Sequence, residues 1–399
     1  MERRGVRNPT PRRPWRIGVY LQLETEHGRG ILRGIGHVLR RRNDVAVFKF
    51  NQVAGYSAKA MGEMDYDGVI AKVATAADER LHAKLGLPVV NVSGQRLTPS
   101  LPTVNTDDLL VGRLAGQHFF TRGFRRFAYC GSHGHLASEL RLLGLTEFAR
   151  EQGLPEVQTT FVPFGDQTQP YPETSRAELA AWLRSLQAPT AVLAFTDQAA
   201  LEIDAAAAQH GLRVPEEIGI LGIGNDQTRL EFAHSEISSF QLNTHRLGVL
   251  AAEMLLDALA GRKLGSDRII IPPHKLVTRT STDHFAVADD VVSAALDHIR
   301  EHAGDTIYVE DVAREVGVSR RVLELKFRRV LKSSVYGEVQ RVHFERALEL
   351  MADPQLSLSE IAFSSGFASA VIFSKQFRRR YDAAPSEYRR RLLGLDKGA

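Results

Sequence analysis

The chain has 399 residues, 43% of them hydrophobic and 25% charged, an ordinary globular composition long enough for two or three domains. One cysteine, Cys130, excludes a disulfide framework and a CxxC zinc site; no run approaches the roughly eighteen apolar residues of a spanning helix, so no membrane partner is expected. The net charge of +4 hides its distribution: residues 1–16 carry six Arg and one Glu, residues 17–284 carry 27 basic against 29 acidic, and residues 285–399 carry 18 against 17.

Residues 1–14 are rich in Arg and Pro and read as a disordered basic arm. They lack the apolar core of an export signal, which predicts a cytoplasmic protein. From Trp15, short apolar runs alternate with amphipathic stretches. Strands are predicted over 16–21, 45–50, 67–71 and 88–92, with a helix over 30–42. The rhythm continues with helix 107–122, strand 125–130, helix 136–152, strand 158–163 and helix 173–186. Strand 191–195, helix 198–210, strand 218–223, the run 237–240, helix 245–260 and the runs 268–271 and 276–278 follow. This alternation predicts parallel sheets covered by helices. Two such halves predict a two-lobed α/β domain over 15–280, with a ligand in the cleft outside the carboxyl ends of the strands.

Three weaker patterns carry little. Cys130, His133 and His135 form CGSHGH at a strand end, but no fourth metal ligand is evident. Gly28, Gly30 and Gly34 follow a strand without GxGxxG spacing or a Walker lysine, so close packing is the simpler reading. No GxSxG, HExxH or paired-acid motif is present. No metal, cofactor or catalytic residue is therefore expected.

Residues 281–289 read as a linker, after which helical spacing replaces strands. Helices over 291–302, 309–316, 319–330, 335–351, 358–365, 369–381 and 385–393 predict an all-α domain over 290–394. Within it, residues 309–330 and 359–380 repeat Ala-x-x-x-Gly, as Ala313 with Gly317 and Ala362 with Gly366. A small residue lets two helices cross closely, and the glycine turns the chain through a left-handed conformation. A second helix follows each glycine, the signature of a helix-turn-helix. Leu323 with Phe327 and Phe373 with Phe377 are the predicted core anchors. Arg320, Arg321, Glu324 and Arg328 are placed outside on the first reading helix; Ser369, Lys375, Arg378 and Arg379 are placed outside on the second. Six basic residues and one acidic lie between Ser319 and Lys332. Side chains at a helix start can reach base edges, and Lys and Arg at its end can reach phosphates, so double-stranded DNA is the expected partner.

The helical part resembles the DNA-binding domain of the AraC/XylS family. The resemblance runs through SRRVLELKFRRVL, RALELM, LSLSEIAFSSGFASAVIFSKQFRRRY and APSEYRR, with Pro385, Ser386 and Tyr388 in the last. It implies two helix-turn-helix units entering successive major-groove segments on one DNA face, and activation through contact with RNA polymerase. By position it assigns base reading to Arg320, Arg321 and Glu324, and to Ser369, Ala370 and Lys375. Ala370 and Val371 stand where the family often has polar readers, which points to thymine methyls or to phosphate holding.

The α/β part resembles the periplasmic-binding-protein-like effector domains of the LacI family over residues 16–280. The matching pieces are VNTDDLLVGRLAGQHF, AFTDQAALEIDAAAAQHGLRVPEEIGILGIGND and ISSFQLNTHRLGVLAAEMLLDAL. That resemblance implies a small sugar or polyol effector, and the pairing of this sensor with that reader implies a xylose-like one. The ligand residues it implies are Glu24, Thr25, Glu26, Asp107, Arg141, Thr196, Asp197, Asn225 and Asp226. Asp107 and Asp197 also precede helices, where capping is an equal reading. Gly224 stands where the family often carries Asp. The expected protein is a ligand-responsive transcription regulator acting as a homodimer. Its rival is a carbohydrate-binding or carbohydrate-processing protein whose helical domain mediates protein contacts.

Overall fold

The computed structural model describes residues 13–51, 65–95, 100–162, 173–262, 268–283, 289–331, 333–351, 355–381 and 383–392. The expected basic arm lies outside the described residues except at its end, where Arg13 pairs with Asp67 at 3.1 Å.

The chain opens with β1 (Trp15–Leu21), α1 (Glu26–Leu39), β2 (Val45–Asn51), β3 (Gly68–Ala71), α2 (Ala76–Lys84), β4 (Val89–Asn91) and β5 (Thr103–Thr106). There follow α3 (Asp108–Thr121), β6 (Phe127–Gly131), α4 (Leu136–Glu151), β7 (Gln158–Phe161), α5 (Glu173–Ser185), β8 (Thr190–Ala194) and α6 (Asp197–Gln209). The α/β part, the expected sensor, ends with β9 (Ile218–Ile223), α7 (Gln227–Leu230), β10 (Ser238–Gln241), α8 (Thr244–Leu259), β11 (Arg268–Ile271) and β12 (Lys275–Val277). The strands form two six-stranded sheets, ordered β11-β5-β4-β3-β1-β2 and β12-β10-β9-β8-β6-β7. All pairings are parallel except β10 with β12. The central strands TAVLA and IGILGI are buried throughout, so they are continuously apolar rather than alternating.

The chain passes between the lobes three times, near residues 106–108, 241–244 and 271–275. Each lobe is closed by a helix pair that meets through glycines. A Cβ on Gly34 would lie 2.0 Å from the His245 carbonyl oxygen, and one on Gly248 2.1 Å from that of Ile31. Gly112 and Gly144 serve α3 and α4 in the same way, at 2.0 and 2.1 Å from backbone oxygens. Gly28 would meet the Gln22 oxygen and Gly30 the Thr244 hydroxyl at 2.0 Å, so Gly28, Gly30 and Gly34 answer to packing.

The reader comprises α9 (Asp290–Glu301), α10 (Val309–Glu315), α11 (Arg320–Leu331), α12 (Val335–Leu350), α13 (Leu358–Ser364), α14 (Ala370–Tyr381) and α15 (Pro385–Leu392). It has two cores, and α12 serves both. Val335, Val339 and Val342 join Leu323 and Phe327 in the first, while Phe344 and Ala347 join Phe373 and Phe377 in the second. One continuous helix therefore fixes the placement of the two reading helices.

The predicted linker is not free along its length. Ser281 and Thr282 are fully buried. The Ser281 hydroxyl donates to the Ile220 oxygen at 2.6 Å, and Thr282 Oγ1 donates to Ser238 at 2.6 Å. Asp283 then binds Arg122, which caps the end of α3, at 2.6 Å and Arg300 of α9 at 3.0 Å. The chain is thus strapped to the second lobe before it enters the reader. Residues 284–288 lie outside the described residues.

Candidate functional site

Between the lobes lies a cavity of about 200 Å³. It is smaller than the ~300–1,000 Å³ clefts that take drug-sized ligands, so it suits one small ring. Its walls are the carboxyl ends of β1, β3, β4, β5, β8 and β9 with residues of the helices that follow β1, β5, β6, β8 and β9, where open α/β sheets place ligands.

Arg141 of α4 is its most constrained side chain. Its Nη2 and Nε meet Asp108 Oδ1 at 2.7 and 2.8 Å, and its Nη1 donates to the Phe195 oxygen at 2.7 Å. Its guanidinium lies 5.1 Å from the Phe195 ring centroid, and the His135 ring meets Phe195 edge-on at 5.2 Å. Burial pushes the Asp108 carboxyl up while Arg141 opposes that shift. An aromatic face edged by planar donors and acceptors suits the apolar faces and paired hydroxyls of a sugar.

Asp197 opens α6 beneath this face. Its carboxylate accepts from the Ser239 hydroxyl at 2.5 Å and from the Asp226 N–H at 2.7 Å; burial pushes its pKa up, and these donors oppose that. Gly224 explains its own departure from the family pattern. With φ at 133°, a Cβ there would lie 2.8 Å from Asp197 Oδ2, so the missing side chain makes room for this carboxylate.

Asp226 reaches across the cleft. It accepts from Arg29 Nη2 at 3.1 and 3.2 Å and from the Glu26 N–H at 3.1 Å, with Arg229 at 3.4 Å. A second bridge joins the lobes through the backbone, where the N–H groups of Leu136 and Ala137 donate to the oxygens of Gln95 and Gly94 at 2.9 and 3.0 Å.

Of the nine expected ligand residues, Thr25, Glu26, Arg141, Thr196, Asp197 and Asp226 line the cavity. Three do not. Asp107 caps α3 by accepting from the Leu110 N–H at 2.9 Å, and its neighbour Asp108 takes the wall position. Asn225, at a positive φ of 51°, accepts from Arg279 at 2.7 Å. Glu24 accepts from the Asn51 amide, set back from the wall. Sequence reasoning missed Lys72, His27, Gln95 and Asn105, which do line it. None carries a spacing signal; each lies in or follows a short strand, or opens a helix. Of the CGSHGH set, Cys130 is buried in β6 with its thiol pushed up to about 12 by burial, and His133 stacks on Phe161 at 4.2 Å.

In the reader, the exposed face of α11 presents Arg321, Val322, Leu325, Arg328 and Arg329, with Leu325 60% exposed. Glu324 departs from expectation. It turns toward the flank of the core, half-buried, with Oε2 unpaired among the described residues. Arg320 is exposed but pairs with Glu310 of α10. On α14 the exposed face presents Val371, Ile372, Lys375, Arg378 and Arg379, with Val371 77% exposed. Ser369 accepts from the Ile372 N–H at 3.2 Å and so caps the helix, while Ala370 is half-buried. Among the described residues, no helix is long and apolar enough to cross a membrane.

Two family models match the chain: a periplasmic binding protein-like domain over residues 116–282 and a helix-turn-helix domain over 312–391. The xylose operon regulatory protein of Escherichia coli (strain K12) is 30% identical over 329 residues, which cover 81% of this chain and 83% of that protein. The protein of the same name from Haemophilus influenzae is 25% identical over 383 residues, covering 94% and 98%. Among solved structures, the xylose-binding transcription activator xylR matches with a TM-score of 0.59 at 26% identity, over 95% of this chain and 98% of that one. A periplasmic binding protein/LacI transcriptional regulator from Alkaliphilus metalliredigens, complexed with D-xylulofuranose, shares the fold over 67% of this chain and 98% of its own, with a TM-score of 0.55 at 18% identity.

Proposed function

The chain belongs to the family of xylose operon regulatory proteins, and on that premise we propose that it is a cytoplasmic transcription activator, not an enzyme, whose effector is a small sugar or polyol held between the lobes. The observation that carries the reading is the cavity itself. It joins an aromatic face, a buried Arg141–Asp108 pair and the Asp197 carboxylate in a space sized for one ring. D-xylose, bound by a similar activator, is the first ligand to test.

The protein acts as a homodimer, and its two reading helices contact operator DNA. Arg321, Arg328, Ser369, Lys375, Arg378 and Arg379, with the family position Arg320, form the contact set. Effector binding shifts DNA affinity only by its differential affinity for the two sensor states. RNA polymerase is the partner through which activation is read.

The test is selection of operator sequences from a random DNA library by the full chain, then transcription in vitro with RNA polymerase, with and without effector. A sequence-specific complex that weakens steeply with salt, and transcripts that rise with effector, support the reading. Binding without sequence preference removes the regulator role, and transcripts that fall with effector remove the activator role.

A further inference from the structure

The loop between β9 and α7 forms part of the cavity wall. Gly224 and Asp226 line the cavity, and Asn225 between them does not. Asn225 is held from behind instead. Its N–H donates to the Ser239 hydroxyl at 3.0 Å, and that hydroxyl donates to Asp197 on the wall at 2.5 Å. Its side-chain oxygen accepts from Arg279 Nη2 at 2.7 Å.

Arg279 is where the buried strap begins. Its Nη1 donates to the Ile237 oxygen at 2.6 Å. Its N–H donates to the Ser238 hydroxyl at 2.8 Å, which donates back to the Arg279 oxygen at 2.9 Å. The guanidinium also bears on the wall: burial pushes the Asp197 carboxyl up, and the Ser239 hydroxyl, the Asp226 N–H and Arg279 oppose that. From Arg279 the chain makes one tight turn, Thr280–Thr282. Ser281 and Thr282 are fully buried, and the Ser281 N–H donates to the Glu236 oxygen at 2.9 Å. A segment packed and tied in this way has little room to absorb a displacement.

The strap ends on Asp283, whose carboxylate is shared by Arg122 of the second lobe and Arg300 of the reader. Burial and Arg122 push Arg300 down to about 10, and Asp283 opposes them. A shift of Asp283 is therefore felt by α9. That helix supplies Val292, Leu296 and Ile299 to the core that holds the anchors of the first reading helix, Leu323 and Phe327.

We propose that residues 279–283 are the coupling element between the cavity and the reading helices. Arg279 takes the position of the loop at 224–226 through Asn225, and Asp283 hands that position to α9. Arg279 and Asn225 are positioning residues; neither touches effector or DNA. The proposal rests on the cavity being the effector site and on the reader binding DNA, and it names the contacts that join the two.

The first test is hydrogen exchange, followed by mass spectrometry, on the full chain with no ligand added. Asn225→Gly removes the acceptor and suits the positive φ of that position; Asn225→Asp keeps the acceptor; Arg279→Met removes the donor. Asn225→Gly and Arg279→Met should each speed exchange over residues 290–301 by at least ~threefold. The double variant should add nothing further, and Asn225→Asp should leave α9 as it was. Faster exchange confined to residues 218–241 assigns both side chains to local structure and overturns the proposal. The second test is titration of the selected operator with and without D-xylose. Coupled sites change the operator Kd by about 5–150-fold; Asn225→Gly and Arg279→Met should bring that ratio close to one while D-xylose still binds. An undiminished ratio in both variants overturns the coupling role. An unaltered chain that binds no D-xylose or selects no operator overturns the reading on which the proposal rests, and the exchange comparison then decides the coupling element by itself.

Discussion

The two helix-turn-helix units repeat one backbone frame fifty residues apart and fill it with different chemistry. Arg321 corresponds to Val371, Val322 to Ile372, Leu325 to Lys375, and Arg328 and Arg329 to Arg378 and Arg379. The ends of the two helices are alike and the beginnings are not. Phosphates are uniform along DNA and base edges are not, so the shared ends suit anchoring and the divergent starts suit reading two different base patterns. The turns differ as well. Gly317 and Gly366 both have positive φ, at 67° and 78°. Nothing stands within 4 Å of a Cβ built on Gly317, whereas one on Gly366 would lie 2.5 Å from both the Asp305 oxygen and His343 Nε2. The first turn is open to solvent; the second is wedged against α12 and the segment after α9.

The largest effect that tests this contrast is on stability. Gly317→Ala should cost about 1–2 kcal/mol through its left-handed backbone alone. Gly366→Ala adds overpacking, for about 2–4 kcal/mol in all. Equal losses in thermal melts would erase the distinction between the turns. Next comes DNA reading: Arg321→Ala should cost about 1–3 kcal/mol of specific affinity and relax one base preference, and an unchanged operator titration removes Arg321 from the readers.

Acid should separate the two units further. Burial pushes His343, beside Gly366, below the ordinary histidine value, with a backbone hydrogen bond at Asp305 opposing. A group with a depressed folded pKa stays neutral in the folded protein while the unfolded chain takes up its proton. His343 therefore removes stability as pH falls below about 6.5, by at most ~1.4 kcal/mol per pH unit as its own share, beside the similarly depressed His27, His118 and His135. His343→Leu should lessen the overall slope by that share; an unaltered slope assigns it wholly to the other histidines. The smallest effect is expected from the shared ends. Arg329→Ala and Arg379→Ala should each reduce the salt dependence of binding by about one ion, equally and without changing base preference. Val371→Ala should cost about 1 kcal/mol or less through lost methyl contact, and uracil in place of thymine at the contacted step should abolish that cost.

Much of the frame was legible because it follows from periodicity. The strand–helix alternation placed both lobes, and Ala-x-x-x-Gly placed both turns. β5 was missed because TVNT is short and polar; its strand state comes from pairing with β11 and β4, which local pattern does not show. The outer face of α11 was read one position out of phase at Glu324. Leu323 and Phe327 fill the core as expected, and that spacing turns Leu325, rather than Glu324, fully outward. In the cleft, the family pattern reached the strand ends of the second lobe but could not tell Asp107 from Asp108, since capping and lining differ by one residue. Lys72 left no sequence signal because only the fold brings the residue after β3 to the cavity wall.

The strap at residues 281–283 has a mechanical consequence. Ser281 and Thr282 are keyed under the second sheet, and Asp283 ties α3 to α9. The reader is thereby mounted on the second lobe as an outrigger is mounted on a hull. Any rotation of the second lobe about the three crossings would carry the reader with it, and the displacement would grow with distance from the pivot, so a small change at the cavity would become a larger one at the reading helices.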